Sequence, residues 1–180
     1  MMSKEVSETL LESLLAVLAQ GEQLLASLDD ATYSAKPPIA SGGSIGAHYR
    51  HCLDHFGALL TGDASGEIDY DARKRDPRLE NEREMALVMT RHLQDLASSL
   101  DASILESPVS VRCGVSYNDK EAPAVPSSFK REVMFSISHA IHHYALIAMI
   151  CRSLGITLHE GFGVAPSTIH YRKESTISRF

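Results

Sequence analysis

Several large classes of protein are excluded by what this chain has little of. Its cysteines are three, Cys52, Cys113 and Cys151, with no CxxC pair among them, so no disulfide framework is expected. Lys and Arg number 17 against 23 Asp and Glu, a net charge of -6. That balance argues against a nucleic-acid partner, because a phosphate-binding surface needs an excess of cations. No apolar run reaches the roughly 20 residues that a bilayer span requires, so no membrane partner is expected either. The opening MMSKEVSETLLESLL lacks a basic segment followed by an apolar block and a small-residue cleavage site. No secretion signal is predicted, and a cytoplasmic location is expected. No Ser-His-Asp arrangement, P-loop or GxGxxG can be read in the chain.

What is present is ordinary globular composition, 44% hydrophobic and 22% charged over 180 residues, enough for one domain with a proper core over residues 1–180. Val6, Leu10, Leu14, Val17, Leu18, Leu24, Leu25 and Leu28 recur at helical spacing and predict a first helix from about Ser3 to Leu28. Pro37, Pro38, Gly42 and Gly43 break the chain, and Ser44 is a good N-cap for a second helix reaching about Leu60. Ile45, Cys52, Phe56 and Leu59 form its inner side. Gly62 to Pro77 reads as a polar linker. A third helix, started by Pro77, runs to about Leu100 on Leu79, Met85, Val88, Met89, Leu93 and Leu96.

Val109 to Tyr117 alternates apolar and polar residues and predicts a strand, with a turn at Asn118–Asp119 and a short return over Ala122 to Pro126. A fourth helix then runs from Ser127 or Ser128 to about Leu154, ended by Gly155. Residues 155–180 show no sustained period and are expected to be mostly coil. The predicted class is all-α: a four-helix bundle with a small β-hairpin insert before the last helix.

Chemistry concentrates in two histidine clusters, SIGAHYRHCLDH with His48, His51 and His55, and SHAIHHY with His139, His142 and His143. At about 100° per residue, His48, His51 and His55 share an arc of roughly 60° on the second helix. His139 and His143, at i and i+4, lie about 40° apart on the fourth, with His142 turned away from the apolar side. An i, i+4 pair is one way for a helix to grip a metal ion with two nitrogens. A third nitrogen from the second helix would leave positions open for water or substrate. Periodicity does not say which histidine supplies it: His48 and His55 sit nearer the apolar stripe, and His51 is at its edge. Three imidazoles suit zinc or nickel, and also iron, cobalt or copper.

The chain resembles the DinB/YfiT-like superfamily of metal-dependent four-helix-bundle proteins over nearly all its length. The residues that carry the resemblance are Ser44-Ile45 followed by His51 and Asp54 in the second helix, and His139, His142 and His143 in the fourth. It implies an up-down-down-up bundle and a triad of His51, His139 and His143 holding a divalent metal. It also implies hydrolysis or thiol transfer on a small-molecule substrate, with a low-molecular-weight thiol as one candidate. Tryptophan often opens the second helix in that superfamily, and this chain has none. His48 and His55 are additions to the simplest pattern, candidates for the general base or for a ligand in place of His51. Asp54 reads as a solvated surface acid.

The linker carries Tyr70, Asp71, Arg73, Lys74, Arg75 and Asp76. Its functional reading is an anion clamp in which Arg73 and Arg75 bind a substrate carboxylate or phosphate; its bland reading is a solvated loop. In an up-down-down-up bundle the linker must cross along the molecule. Fourteen or so extended residues reach about 45 Å against about 25 Å for the second helix, so the arginines can approach the metal, with Glu80 as a partner for one of them. Cys52 and Cys151 read as core. His159 and His170 read as surface residues of the tail, and GFG at Gly161 to Gly163 as a turn or tail contact. The leading expectation is a metal-dependent enzyme. The alternative is a non-catalytic metal- or small-ligand-binding stress-response protein, with a homodimer as one form.

Overall fold

The computed structural model describes residues 2–62, 66–72, 74–118 and 122–177. Among them the chain is mostly helical, with four long helices: α1 (Met2–Ser27), α3 (Ile45–Gly62), α5 (Arg83–Ser98) and α6 (Phe129–Ser153). Shorter helices α2 (Asp30–Ser34), α4 (Arg78–Asn81) and α7 (Pro166–Ile177) and strands β1 (Glu67–Asp69), β2 (Pro108–Arg112) and β3 (Val125–Ser128) complete the fold. The helix starts follow from capping chemistry. Ser44 Oγ accepts from the Ala47 amide at 2.9 Å, and the Ser128 side chain accepts from Arg131 N, each satisfying an orphan donor of the first turn. Gly155 takes φ +75° just beyond α6, the left-handed conformation that glycine adopts without steric cost.

The long helices pack in a ring, α1 on α5 and α6, and α3 on α5 and α6. Side-chain pairs fix their directions. Arg91 meets Glu22 and Arg83 meets the Leu25 carbonyl, so α1 and α5 are antiparallel. His48 meets His143 and His51 meets His139, so α3 and α6 are antiparallel. The Tyr49 hydroxyl bonds Thr90 Oγ1 at 2.9 Å, while Gly46, earlier in α3, abuts the Glu80 backbone just before α5. α3 and α5 therefore run parallel, and the chain between them has to return along the molecule. The core of the ring is Leu14, Leu18, Leu25, Ile45, Tyr49, Phe56, Leu59, Val133, Tyr144 and Ile147, with Cys52 and Cys151 buried among them as expected.

The returning segment is more than a polar linker. β1 pairs in parallel with β2, which pairs antiparallel with β3, so the expected hairpin is the outer part of a three-stranded sheet. Ile68 and Tyr70 turn inward and are buried. The elements differ from expectation in four further places. The third helix is interrupted at Glu82 (φ -116°, ψ 98°), and its inner face is Ala86, Leu87, Thr90, Leu93 and Ala97, leaving Val88 exposed. The strand predicted to reach Tyr117 ends at Arg112, and Val115 and Tyr117 are exposed; the Asn118–Asp119 turn falls partly outside the described residues. The return strand sits later than expected, and its last residue, Ser128, is also the N-cap of α6. The tail is not mostly coil: it forms α7, preceded by Phe162, which is buried and stacks on Tyr144 with ring centroids 4.9 Å apart.

Among the described residues α6 is long and apolar enough to cross a bilayer by length and composition. Its apolar residues Val133, Ala140, Tyr144, Ile147 and Cys151 are instead buried within the helix ring, which is how the central helix of a folded domain meets the same criterion.

Candidate metal centre

The antiparallel pairing of α3 and α6 places both histidine clusters at one level. His51 sits among His55, His139 and His143, with ring centroids 4.6, 4.9 and 4.6 Å away respectively. His51 Nε2 and His139 Nε2 are 3.0 Å apart. One ligand nitrogen from each of His51, His139 and His143 falls within 4.8 Å of the others. Two nitrogens bound to one cation at about 2.1 Å each are separated by roughly 3.0–3.4 Å, so the His51–His139 distance suits a shared ion. All three rings are half-buried.

The electrostatics favour a neutral imidazole at His143. Burial, and then the neighbouring His51, His139 and His48, push the His143 pKa down to about 3, because a cation is costly where water is scarce and like charges crowd. A neutral ring keeps a lone pair for a metal. His48 is shifted down too, first by burial and then by His142.

His48 and His55, the candidates for base or substitute ligand, both touch the triad but differ in setting. His48 Nδ1 lies 3.1 Å from His143 Nδ1, one donating and the other accepting, and its Nε2 faces the backbone at Gly43. His55 is buried and sandwiched, its centroid 4.2 Å from that of His139 and 4.9 Å from that of Tyr70, nearly parallel to the latter at 18°. His142 is exposed, as its angular position on α6 predicts.

The arginine clamp fares differently. Arg73 lies outside the described residues. Arg75 is exposed at φ 48°. The crossover residues on either side of it, Asp69, Ala72, Lys74, Asp76 and Arg78, line a cavity of about 620 Å³ between α3 and α5. That cavity takes its α3 wall from Leu53, Asp54, Gly57 and Thr61, the face opposite the histidines by helical geometry. Glu80 pairs with Arg50 at 3.2 Å, not with Arg75. Asp54 is not a solvated acid: its side chain is 8% exposed and bonds Arg50 at 2.8 Å, one helical turn away. His159 and His170 are exposed, as expected.

One part of the site escaped sequence reasoning. Glu132 is 1% exposed and lies on the face of α6 that carries Ser136, His139 and His143, at spacings of four, three and four. Its carboxylate accepts from Ser127 Oγ at 2.6 Å, from Tyr70 Oη at 3.1 Å and from Arg131 at 3.0 Å. Tyr70, stacked on His55, thus connects a buried carboxylate to the histidine cluster. The i, i+4, i+7 spacing was the available signal for Glu132.

No family model matches the chain. Over 107 residues it is 34% identical to a protein of Rhizopus delemar named FK506-binding protein 5, a match that takes in 59% of this chain and 28% of that protein. The chain thus matches little more than a quarter of the relative's length.

Proposed function

We propose that this protein is a metal-dependent enzyme of the DinB-like kind, built on an up-down-down-up four-helix bundle, with His51, His139 and His143 holding one divalent cation, zinc or nickel. The observation that carries the reading is the meeting of three imidazole nitrogens from α3 and α6 within 4.8 Å of one another. The antiparallel α1/α5 and α3/α6 pairs and the parallel α3/α5 pair support the bundle topology. When bound, the cation supplies Lewis acidity, lowering the pKa of a water or thiol placed on it. The chain's own residues do the rest. His48 holds the ring of His143 through Nδ1. His55, buried between Tyr70 and His139, orients His139 and keeps water from its inner face. The substrate is a small electrophile, attacked by water or a low-molecular-weight thiol.

The test is elemental analysis of purified protein, followed by assays of ester and amide hydrolysis and of thiol addition before and after chelation. The reading expects one zinc or nickel per chain, lost in His51→Ala and His139→Ala, and turnover restored by the ion. A folded wild-type protein that takes up neither metal overturns it. A second reading is a non-catalytic small-ligand-binding protein; its small-ligand binding, and that alone, is supported by the name of the fungal relative, FK506-binding protein 5. Saturable FK506 binding by metal-free protein, with no turnover on any substrate, would favour the second reading.

A further inference from the structure

A second, smaller groove of about 200 Å³ is lined by His48 of α3, by Ile39, Ala40 and Ser41, and by Leu146, Met149 and Ile150 of α6. His143, Leu146 and Ile150 follow one another along one face of α6 at i, i+3 and i+7, so the groove continues the line of the histidine cluster. His48 is shared: it lies 3.1 Å from His143 and lines the groove. No charged residue lines the groove, so a charged group entering it would lose hydration without gaining a partner. At the rim Ile39 is 52% and Met149 48% exposed, two large apolar side chains left half open to solvent. The lip over the groove is a hydrogen-bonded turn, with Ala40 N bonding Pro37 O at 2.9 Å and Gly43 N bonding Ala40 O at 2.8 Å, and Ser41 at φ 48°.

Resting on the metal reading, we infer that this groove is the specificity pocket of the site and receives the uncharged, straight alkyl arm of a substrate whose reactive head sits at the triad. From His143 to Ile150 the helix advances about 10 Å, the length of an extended chain of about eight carbons. The larger cavity between α3 and α5 does not compete for this arm, because it opens on the opposite face of α3 and its rim is charged.

The test uses the zinc- or nickel-loaded full chain and straight-chain alkyl hydroxamates from acetohydroxamate to decanohydroxamate, titrated calorimetrically. The hydroxamate head is constant and chelates a divalent ion; only the arm changes. Affinity should rise about threefold per methylene, near what burial of a methylene gives, and level off at about eight carbons. The rim variant Ile39→Ser/Met149→Ser, altered only at exposed positions, should reduce that slope, and Ala40→Phe should flatten the series. Affinity independent of chain length in a wild type that binds acetohydroxamate only when metal-loaded overturns the groove and leaves the metal reading standing. So does a slope that survives both variants. Failure of metal-treated wild type to bind acetohydroxamate at all overturns the metal reading, and this inference with it.

Discussion

At the scale of single residues, Glu132 and His48 have the most to explain. A carboxylate that is 1% exposed is tolerated only because Ser127, Tyr70 and Arg131 donate to it; a buried charge without such partners would cost several kcal/mol. Tyr70→Phe removes one donor and should destabilise by about 1–2 kcal/mol. Glu132→Ala removes the acceptor of Ser127, leaves Tyr70 only the longer contact to Ser136 at 3.4 Å and opens a cavity, and should cost about 2–4 kcal/mol. Urea unfolding of both variants checks the order; equal losses would mean that Tyr70 is the pivot and Glu132 incidental. His48 acts on the cluster through His143. If His48 positions that ring, His48→Ala should weaken zinc or nickel binding about 10–100-fold, whereas His143→Ala, which deletes a proposed ligand, should weaken it more. Competition against a chelating dye separates the two. An unchanged affinity in His48→Ala would show that His143 is held without it.

At the scale of elements, what sequence reading recovered was local and what it missed was not. Ser44, Ser128 and Gly155 announce helix ends because capping and left-handed turns involve residues within a few positions of one another. The histidines of α3 and α6 were legible for the same reason: spacing within a helix sets angular position. Ile68 and Tyr70 were not, since three residues of β1 among charged neighbours carry too short an alternation, and their burial depends on pairing with β2 more than 40 positions later. The bond between Tyr70 and Glu132 spans 62 positions and has no local signature. α7 was missed because its own periodicity is weak, and the segment before it is held by Phe162 stacking on Tyr144. Gly163 makes that stack possible. It sits at φ +70°, and a Cβ there would stand 2.6 Å from the Tyr144 carbonyl carbon and the Ala145 amide nitrogen. Gly163→Ala should therefore lift the tail from α6 and cost about 2 kcal/mol. The loss should appear as faster amide exchange over residues 156–170 with α3 and the sheet unchanged. Unchanged exchange there would mean that the tail shifts without releasing Phe162.

At the scale of the whole molecule, α3 is the element everything else is organised around. One face carries His48, His51 and His55 against α6, and the opposite face carries Leu53, Asp54 and Gly57 towards α5 and the crossover. The proposed triad would draw one ligand from α3 and two from α6, with His51 and His139 88 positions apart in the chain, so an unfolded chain has no preformed site. Binding must then be coupled to global folding. A ligand present at about 100 times its dissociation constant adds about 2.7 kcal/mol. For a domain of this size that corresponds to about 5–11 °C in melting temperature. Zinc or nickel should raise the Tm of chelator-treated protein by that amount, with the increment growing logarithmically in free metal and abolished by His139→Ala. His142→Ala serves as the control: His142 is exposed and outside the triad, so its loss should leave the shift intact. A shift that vanished with His142 and persisted without His139 would move the ion to the surface of α6 and dissolve the link between the site and the helix packing.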